Sequence, residues 1–236
     1  MWMRFLAAGI GLLIGALVGD FLGLLVERLP SGQVVFGPRV CPTCGGPLSV
    51  SGRLPLIRYM SSCGRCGQRA PRGALWIEGF TAIGTASVVL LRFGTWPAAL
   101  IVLWLAIAAT VIDLRHRIIP NRLLAGAALA GLVALIPAGP PAYMNGALGA
   151  GVLFAVGALL AVVGRGGFGF GDVKYLAVVG LLLGLQRGVV SLMLAVLLGG
   201  LYAAGLLATR KAGRKDTIAF GPFIAIGSLA VALLMR

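Results

Sequence analysis

Four cysteines and a handful of acids carry most of the chemistry this sequence could do. Cys41, Cys44, Cys63 and Cys66 are its only cysteines, and they fall in CPTCGGPL and SCGRCGQR. The pattern is C-x2-C, eighteen residues, C-x2-C. Paired knuckles at that spacing let four thiolates converge tetrahedrally on one Zn²⁺. A closed four-cysteine site leaves no ligand position open, so the metal is structural, folding a loop too small to have its own core. Free thiols or a redox pair are the alternative reading. A reducing compartment disfavours a lasting disulfide.

The acidic residues number six: Asp20, Glu27, Glu78, Asp113, Asp172 and Asp216. Two stand at the ends of apolar runs, Asp113 in VIDLRHRIIPN and Asp172 in GFGFGDVKYLA. Ionisable groups inside apolar membrane segments are costly and usually functional. A carboxylate at a helix C-terminus faces the negative end of the helix dipole, a poor structural place for an acid. Asp172 has an ordinary alternative, as the N-cap of the helix it precedes. Two carboxylates at one depth in a poorly solvated site share a proton, because both cannot ionise cheaply. One then activates water as a base and the other acts as an acid toward a scissile carbonyl. The glycines before Asp172 leave room for an extended substrate backbone. His116, the only histidine, reads with Arg115 and Arg117 as an interfacial charge cluster. Lys174 falls roughly opposite Asp172 on a helix, so it is no automatic ion-pair partner. GFGFG is not a dinucleotide fingerprint, since no soluble strand–turn–helix surrounds it.

The elements that must hold these groups are membrane helices. Of the 236 residues 59% are hydrophobic and 11% charged, and the mean hydropathy is +1.02. Runs such as 5–26 and 189–208 are long enough to cross about 30 Å of hydrocarbon. The first is too long for a signal-peptide core, and no small-residue cleavage site follows. The expected fold is all-α and polytopic, with eight helices near 5–27, 74–91, 97–113, 123–137, 146–164, 173–186, 189–209 and 218–235. The division is a first transmembrane helix (1–29), a metal-binding loop (30–73) and the remaining membrane-embedded helices (74–236). Gly11, Gly15, Gly19 and Gly23 form a stripe along which a neighbouring helix can approach. All Lys and Arg except Arg4, Arg92, Arg187 and Arg236 fall on one side of such a fold, which the positive-inside rule makes cytoplasmic, with both termini outside. The net charge of +14 then reflects orientation and anionic lipid contact, and no nucleic acid is needed to explain it.

These residues together resemble the bacterial type IV prepilin peptidases, the leader peptidase/N-methyltransferases among the GxGD intramembrane aspartyl proteases. The resemblance runs in order through GDFLGLLVERLP (19–30), the cysteine loop with LPLIRYM and WIEG, DLRHRIIPN (113–121), GFGD with VK (169–174) and IAFGPFIAIG (218–227). It implies a multi-pass protein of the bacterial inner membrane with active sites at the cytoplasmic face. The implied partners are type IV prepilin and pseudopilin precursors, whose leader is cleaved and whose new N-terminus is methylated from S-adenosylmethionine. By position it makes Asp113 and Asp172 the catalytic pair and gives zinc to the four cysteines. Glu78 matches an acid connected with methyl transfer, which ties that activity to the half containing the 30–73 loop. Asp20 and Gly23 stand where the family usually has Ser and Asn.

Two other classes fit less well. Presenilin-like proteases use G-x-G-D but lack a cytosolic cysteine tetrad and the DLRHRIIPN motif. The non-enzymatic alternative is a proton-coupled transporter or a zinc-bearing membrane scaffold. A transporter is expected to place its acids near the midplane and to show inverted repeats, whereas these acids stand at helix ends and no repeat is evident.

Overall fold

The computed structural model describes residues 2–37, 40–41, 43–46, 62–68, 73–91, 96–163, 168–210 and 218–235. Outside them lie LPLIRYM, Gly167, Asp216, and Arg39, Arg53, Arg58, Arg69, Arg72, Arg92, Arg165, Lys211, Arg214, Lys215 and Arg236. The regular elements are helices: α1 (Trp2–Arg28), α2 (Gly73–Leu91), α3 (Trp96–His116), α4 (Asn121–Leu135) with a 3-10 turn (Ile136–Ala138), α5 (Pro140–Val163), α6 (Phe170–Ala208) and α7 (Gly221–Leu234). Five spans, Trp2–Arg28, Pro97–His116, Asn121–Ala138, Pro140–Val163 and Phe170–Ala208, are long and apolar enough to cross a membrane. Leu75–Leu91 and Gly221–Leu234 are shorter apolar helices. The chain is an all-α, multi-pass membrane protein.

Seven α-helices stand among the described residues where eight were expected. The difference lies in the expected pair 173–186 and 189–209, which here is the single element α6. A straight helix of its 39 residues would run about 58 Å, twice the hydrocarbon thickness. Instead α6 folds back at Gly184, where φ is 77° and ψ 178°. A Cβ on Gly188 would lie 3.3 Å from the Gly180 Cα, two positions that a straight helix holds about 12 Å apart. Positive φ makes Gly the residue for this reversal. The Asn145 side-chain oxygen on α5 accepts the Leu185 N–H at 3.1 Å, replacing a lost helical acceptor. The break expected at 187–188 thus falls at 184, without a loop.

The chain forms two compact units, Met1–Phe93 and Gly94–Arg236. In the first, the glycine stripe of α1 lies against one face of α2, that of Glu78, Ala82 and Ala86. Cβ atoms on Gly19, Gly15 and Gly11 would come 2.7, 2.7 and 3.3 Å from the Cα atoms of Glu78, Ala82 and Ala86. Contact that close is van der Waals packing of backbone on backbone, which is how helices associate where apolar burial gives no advantage over lipid. It joins α2 to α1 in one unit, whereas the sequence division places its last boundary at 73/74. At the end of α1, Arg28 Nη1 donates to the carbonyls of Val34, Val35 and Gly37 at 3.2, 2.8 and 3.1 Å, tying the start of the loop to the helix. In the second unit α3 packs on α4 and α7, and α6 packs on α4, α5 and α7.

Candidate functional site

Two acids stand where four helix ends of the Gly94–Arg236 unit converge. Asp113 lies in the last turn of α3, which runs on to His116 rather than stopping at 113. Arg117 then takes a left-handed φ of 53°, and Pro120, extended at φ −65° and ψ 132°, starts α4 at Asn121. DLRHRIIPN is therefore a tight α3–α4 corner, with Arg115, His116 and Arg117 exposed. Asp113 itself points inward and is 5% exposed. Its Oδ2 accepts the N–H of Gly221 at 2.9 Å. Gly221 is the first residue of α7, so the carboxyl caps a helix that is not its own. The positive end of that second dipole offsets the unfavourable end of the first.

Asp172 is 8% exposed. It is the third residue of α6, not its N-cap; Gly169 holds that position. Asp172 Oδ2 accepts the Gly169 N–H at 3.3 Å in the manner of a capping box. Asp172 and Asp113 lie within electrostatic reach of each other. The helix-end convergence is built from the same motifs. A Cβ on Gly171 would meet Ile119 of the α3–α4 corner at 3.3 Å, so this glycine serves a close approach of protein on protein. Phe168 packs on Phe220 beside α7 with ring centroids 5.0 Å apart. Phe170 meets Phe154 of α5 edge-on at 6.2 Å. Lys174 turns away from Asp172, as expected. Its Nζ donates to the Asn121 side-chain oxygen at 2.9 Å and sits 5.0 Å over the Phe170 ring, tying α6 to α4. Gly221, Asn121, Phe168 and Phe170 are the site features that sequence reading missed.

The cysteines converge in the Met1–Phe93 unit. All four Sγ atoms lie within 4.8 Å of one another. Cys41 and Cys66 are 3.6 Å apart, Cys44 and Cys63 3.7 Å. Four sulfurs at about 2.3 Å from a central ion stand roughly 3.8 Å apart, so the set fits a tetrahedral metal. It does not fit disulfides, whose sulfurs are about 2.05 Å apart. The two knuckles repeat one construction. Cys41 N–H donates to Gly46 and Gly45 N–H to Cys41; Cys63 N–H donates to Gln68 and Gly67 N–H to Cys63. Backbone N–H groups of Cys44 and Thr43 hold the Cys41 thiol down to about 6, and those of Arg65 and Cys66 lower Cys63. These two lowered thiols suit a metal ligand, whereas Cys66, despite the Gln68 N–H it accepts, is pushed up to about 12 by desolvation and the other three thiols. Glu78 is completely buried in α2, against Gly19 of α1, and Asp20 is half-buried beside that contact.

Two family profiles match the chain. Residues 13–92 match the profile described as bacterial Peptidase A24 N-terminal domain, and residues 100–204 the one described as type IV leader peptidase family. A relative from Bacillus subtilis strain 168, named prepilin leader peptidase/N-methyltransferase, is 30% identical over 225 residues, covering 92% of this chain and 90% of its own. The chain belongs to the type IV leader peptidase family. Relatives of the same name from Aeromonas hydrophila and Pseudomonas aeruginosa are 28% and 29% identical, each covering 91% of this chain and 86% of its own length. No solved structure matches. Membership of the leader peptidase family makes the chain an enzyme. Each profile falls within one compact unit. The N-terminal profile carries the cysteines and Glu78, and the leader peptidase profile carries Asp113 and Asp172. Gly221 lies beyond the matched residues 100–204.

Proposed function

We propose that this leader peptidase cleaves the leader from type IV prepilins or pseudopilins at the cytoplasmic face of the inner membrane, with Asp113 and Asp172 as the catalytic pair. The observation that carries the reading is that two buried carboxyls from distant motifs lie within electrostatic reach of each other at the junction of four helix ends. Relatives named for prepilin cleavage support the substrate. One carboxyl takes a proton from the attacking water while the other gives one to the scissile carbonyl oxygen. As the C–N bond breaks, the first passes its proton to the leaving amine and the second recovers one from the diol, so the pair returns to its starting state after each turnover. The Gly221 and Gly169 N–H groups hold one oxygen of each acid in place. Leader removal is tested by co-expressing candidate precursors and reading their N-termini by mass spectrometry. Unprocessed precursors of every pilin and pseudopilin class would overturn the reading. The charge asymmetry supports a cytoplasmic active face with both termini outside.

The cysteine cluster is proposed as a structural zinc site. Sulfur spacing near that of a tetrahedral ion, and the Cys41 and Cys63 thiols lowered by backbone donors, support it. Bound there, zinc would staple the loop by cross-linking its two knuckles. Freshly purified protein is expected to carry about one zinc per chain, by the four-ligand rule. Cys41→Ser with Cys44→Ser releases it and makes the 40–68 region more sensitive to protease. Elemental analysis finding no metal in undamaged protein refutes the site.

Methylation of the new N-terminus from S-adenosylmethionine is the second proposed activity, resting on the relatives' shared name. We connect Glu78 and the 30–73 loop with it, and the peptidase with the acids of the other unit. Glu78→Gln is expected to reduce conversion of the cleaved product to its N-methyl form more than it reduces cleavage. Equal loss of both activities would show that the roles are not separated.

A further inference from the structure

Asp113 Oδ2 accepts the Gly221 N–H at 2.9 Å, and Asp172 Oδ2 accepts the Gly169 N–H at 3.3 Å. Each acid is thus held at the start of a helix, Asp113 at α7 and Asp172 at α6. The spacing of those two starts therefore governs the spacing of the carboxyls. Directly before each N–H stands a phenylalanine, Phe220 before Gly221 and Phe168 before Gly169. The two rings pack together, with centroids 5.0 Å apart and planes at 60°, inside the range aromatic pairs prefer. One ring contact thus spans the same two helix starts that hold the acids. A second contact backs the Phe220 ring from the returning half of α6, where Gly199 is buried. A Cβ on Gly199 would lie 2.7 Å from Phe220 Cε2 and 3.4 Å from Phe223 Cδ2. Bare backbone at residue 199 is what lets the ring seat there.

Rings that only met lipid could lie anywhere along these helix ends. These two instead stand one residue from each N–H that holds an acid, and they stand on each other. We propose that Phe168, Phe220 and Gly199 form a clasp that sets the distance between the Asp113 and Asp172 carboxyls, all three as positioning residues. The role given to the clasp rests on those acids being the catalytic pair. Gly199 seats the Phe220 ring, and Phe220 is itself the N-cap of α7. Phe168 carries that position across to Gly169, the N-cap of α6. A shift anywhere in the clasp moves the Gly221 and Gly169 N–H groups relative to each other, and the carboxyls follow. Reacting groups displaced by about an ångström lose on the order of 10²-fold in rate.

The test uses the full chain in lipid nanodiscs and a purified pilin precursor that the wild type cleaves. Phe168→Ala and Phe220→Ala are each expected to lower kcat about tenfold with little change in KM, the pattern for lost positioning and not lost binding. The double replacement is expected to fall no lower than the poorer single variant, because both remove one contact. Gly199→Ala pushes a methyl into the Phe220 ring and is expected to lower kcat severalfold. Adding Phe220→Leu to Gly199→Ala is expected to restore part of that loss, since the smaller side chain makes room; a merely destabilising pair would lose more. Losses that multiply in both double variants overturn the clasp. A raised KM at unchanged kcat overturns it too, and makes the rings a surface that binds substrate. Wild-type kcat in both ring variants beside an inactive Asp172→Asn overturns the clasp and leaves the acid pair standing. An active Asp172→Asn overturns the acid pair itself, and with it the role assigned to the clasp.

Discussion

Asp172→Asn is expected to abolish leader cleavage while leaving the protein inserted and folded. Asn keeps the size of Asp, and its side-chain oxygen can still accept the Gly169 N–H that Asp172 now accepts at 3.3 Å. What Asn loses is the ability to exchange a proton, a role worth roughly 10²- to 10⁴-fold in rate. The competing reading makes Asp172 a helix-start residue alone. Its loss of charge in the first turn would then cost about 0.3–1 kcal/mol of helix stability, too little to stop an assay. Retained activity would decide for that reading. Asp113→Asn is expected to be equally inactive, and the double replacement to add little, because groups acting as one unit are not additive. Glu at either position should also fail, since a carboxyl displaced by about an ångström loses on the order of 10²-fold.

Gly221→Ala should be almost as damaging, although residue 221 carries no side chain now. A Cβ there would lie 2.7 Å from Asp113 Oδ2 and 3.2 Å from both Cβ and Cγ of Asp113. The carboxyl is wedged between its own helix and the start of α7, so it must move. Displacement by about an ångström predicts a fall in kcat of roughly 10²-fold. Ala favours a helix over Gly by up to about 1 kcal/mol, so thermal stability should change far less than the rate. Gly200→Ala in α6, where a Cβ meets nothing within 4 Å, is the matched control and should keep full activity. Full activity in Gly221→Ala would mean that the α7 contact does not position Asp113.

The parts of this protein legible in its sequence are those whose meaning is local or periodic. The cysteine knuckles repeat one turn twice, and spacing alone brings their sulfurs together. The α1 stripe recurs every four residues, so it marks one helix face wherever the partner comes from. Asp113 and Asp172 stood out because so few charges surround them. Their partners did not. Gly221 and Asp113 are 108 residues apart, and Lys174 and Asn121 are 53; neither pair leaves a periodic trace. The glycines of GFGFGD drew attention as space for a substrate, yet Gly171 makes room for Ile119, and the Phe residues between them do the docking. The turn in α6 misled for another reason. The expected break at 187–188 left Arg187 between two helices, but the chain reverses where Asn145 can take the Leu185 N–H, and Arg187 lies in the returning helix.

The short helices around the acid pair have a consequence for the lipid itself. The half of α6 between Phe170 and Gly184, and the 14 residues of α7, each rise only about 21 Å, against about 30 Å of hydrocarbon. Asp172 and Gly221 stand at the first turns of these two segments, so both begin at the level of the acids and stop well short of a full crossing. A bilayer meets such a mismatch by thinning around the protein. Headgroups and water are thereby drawn toward the carboxyls, and hydrolysis inside a membrane protein no longer requires its water to cross a full-thickness oil layer.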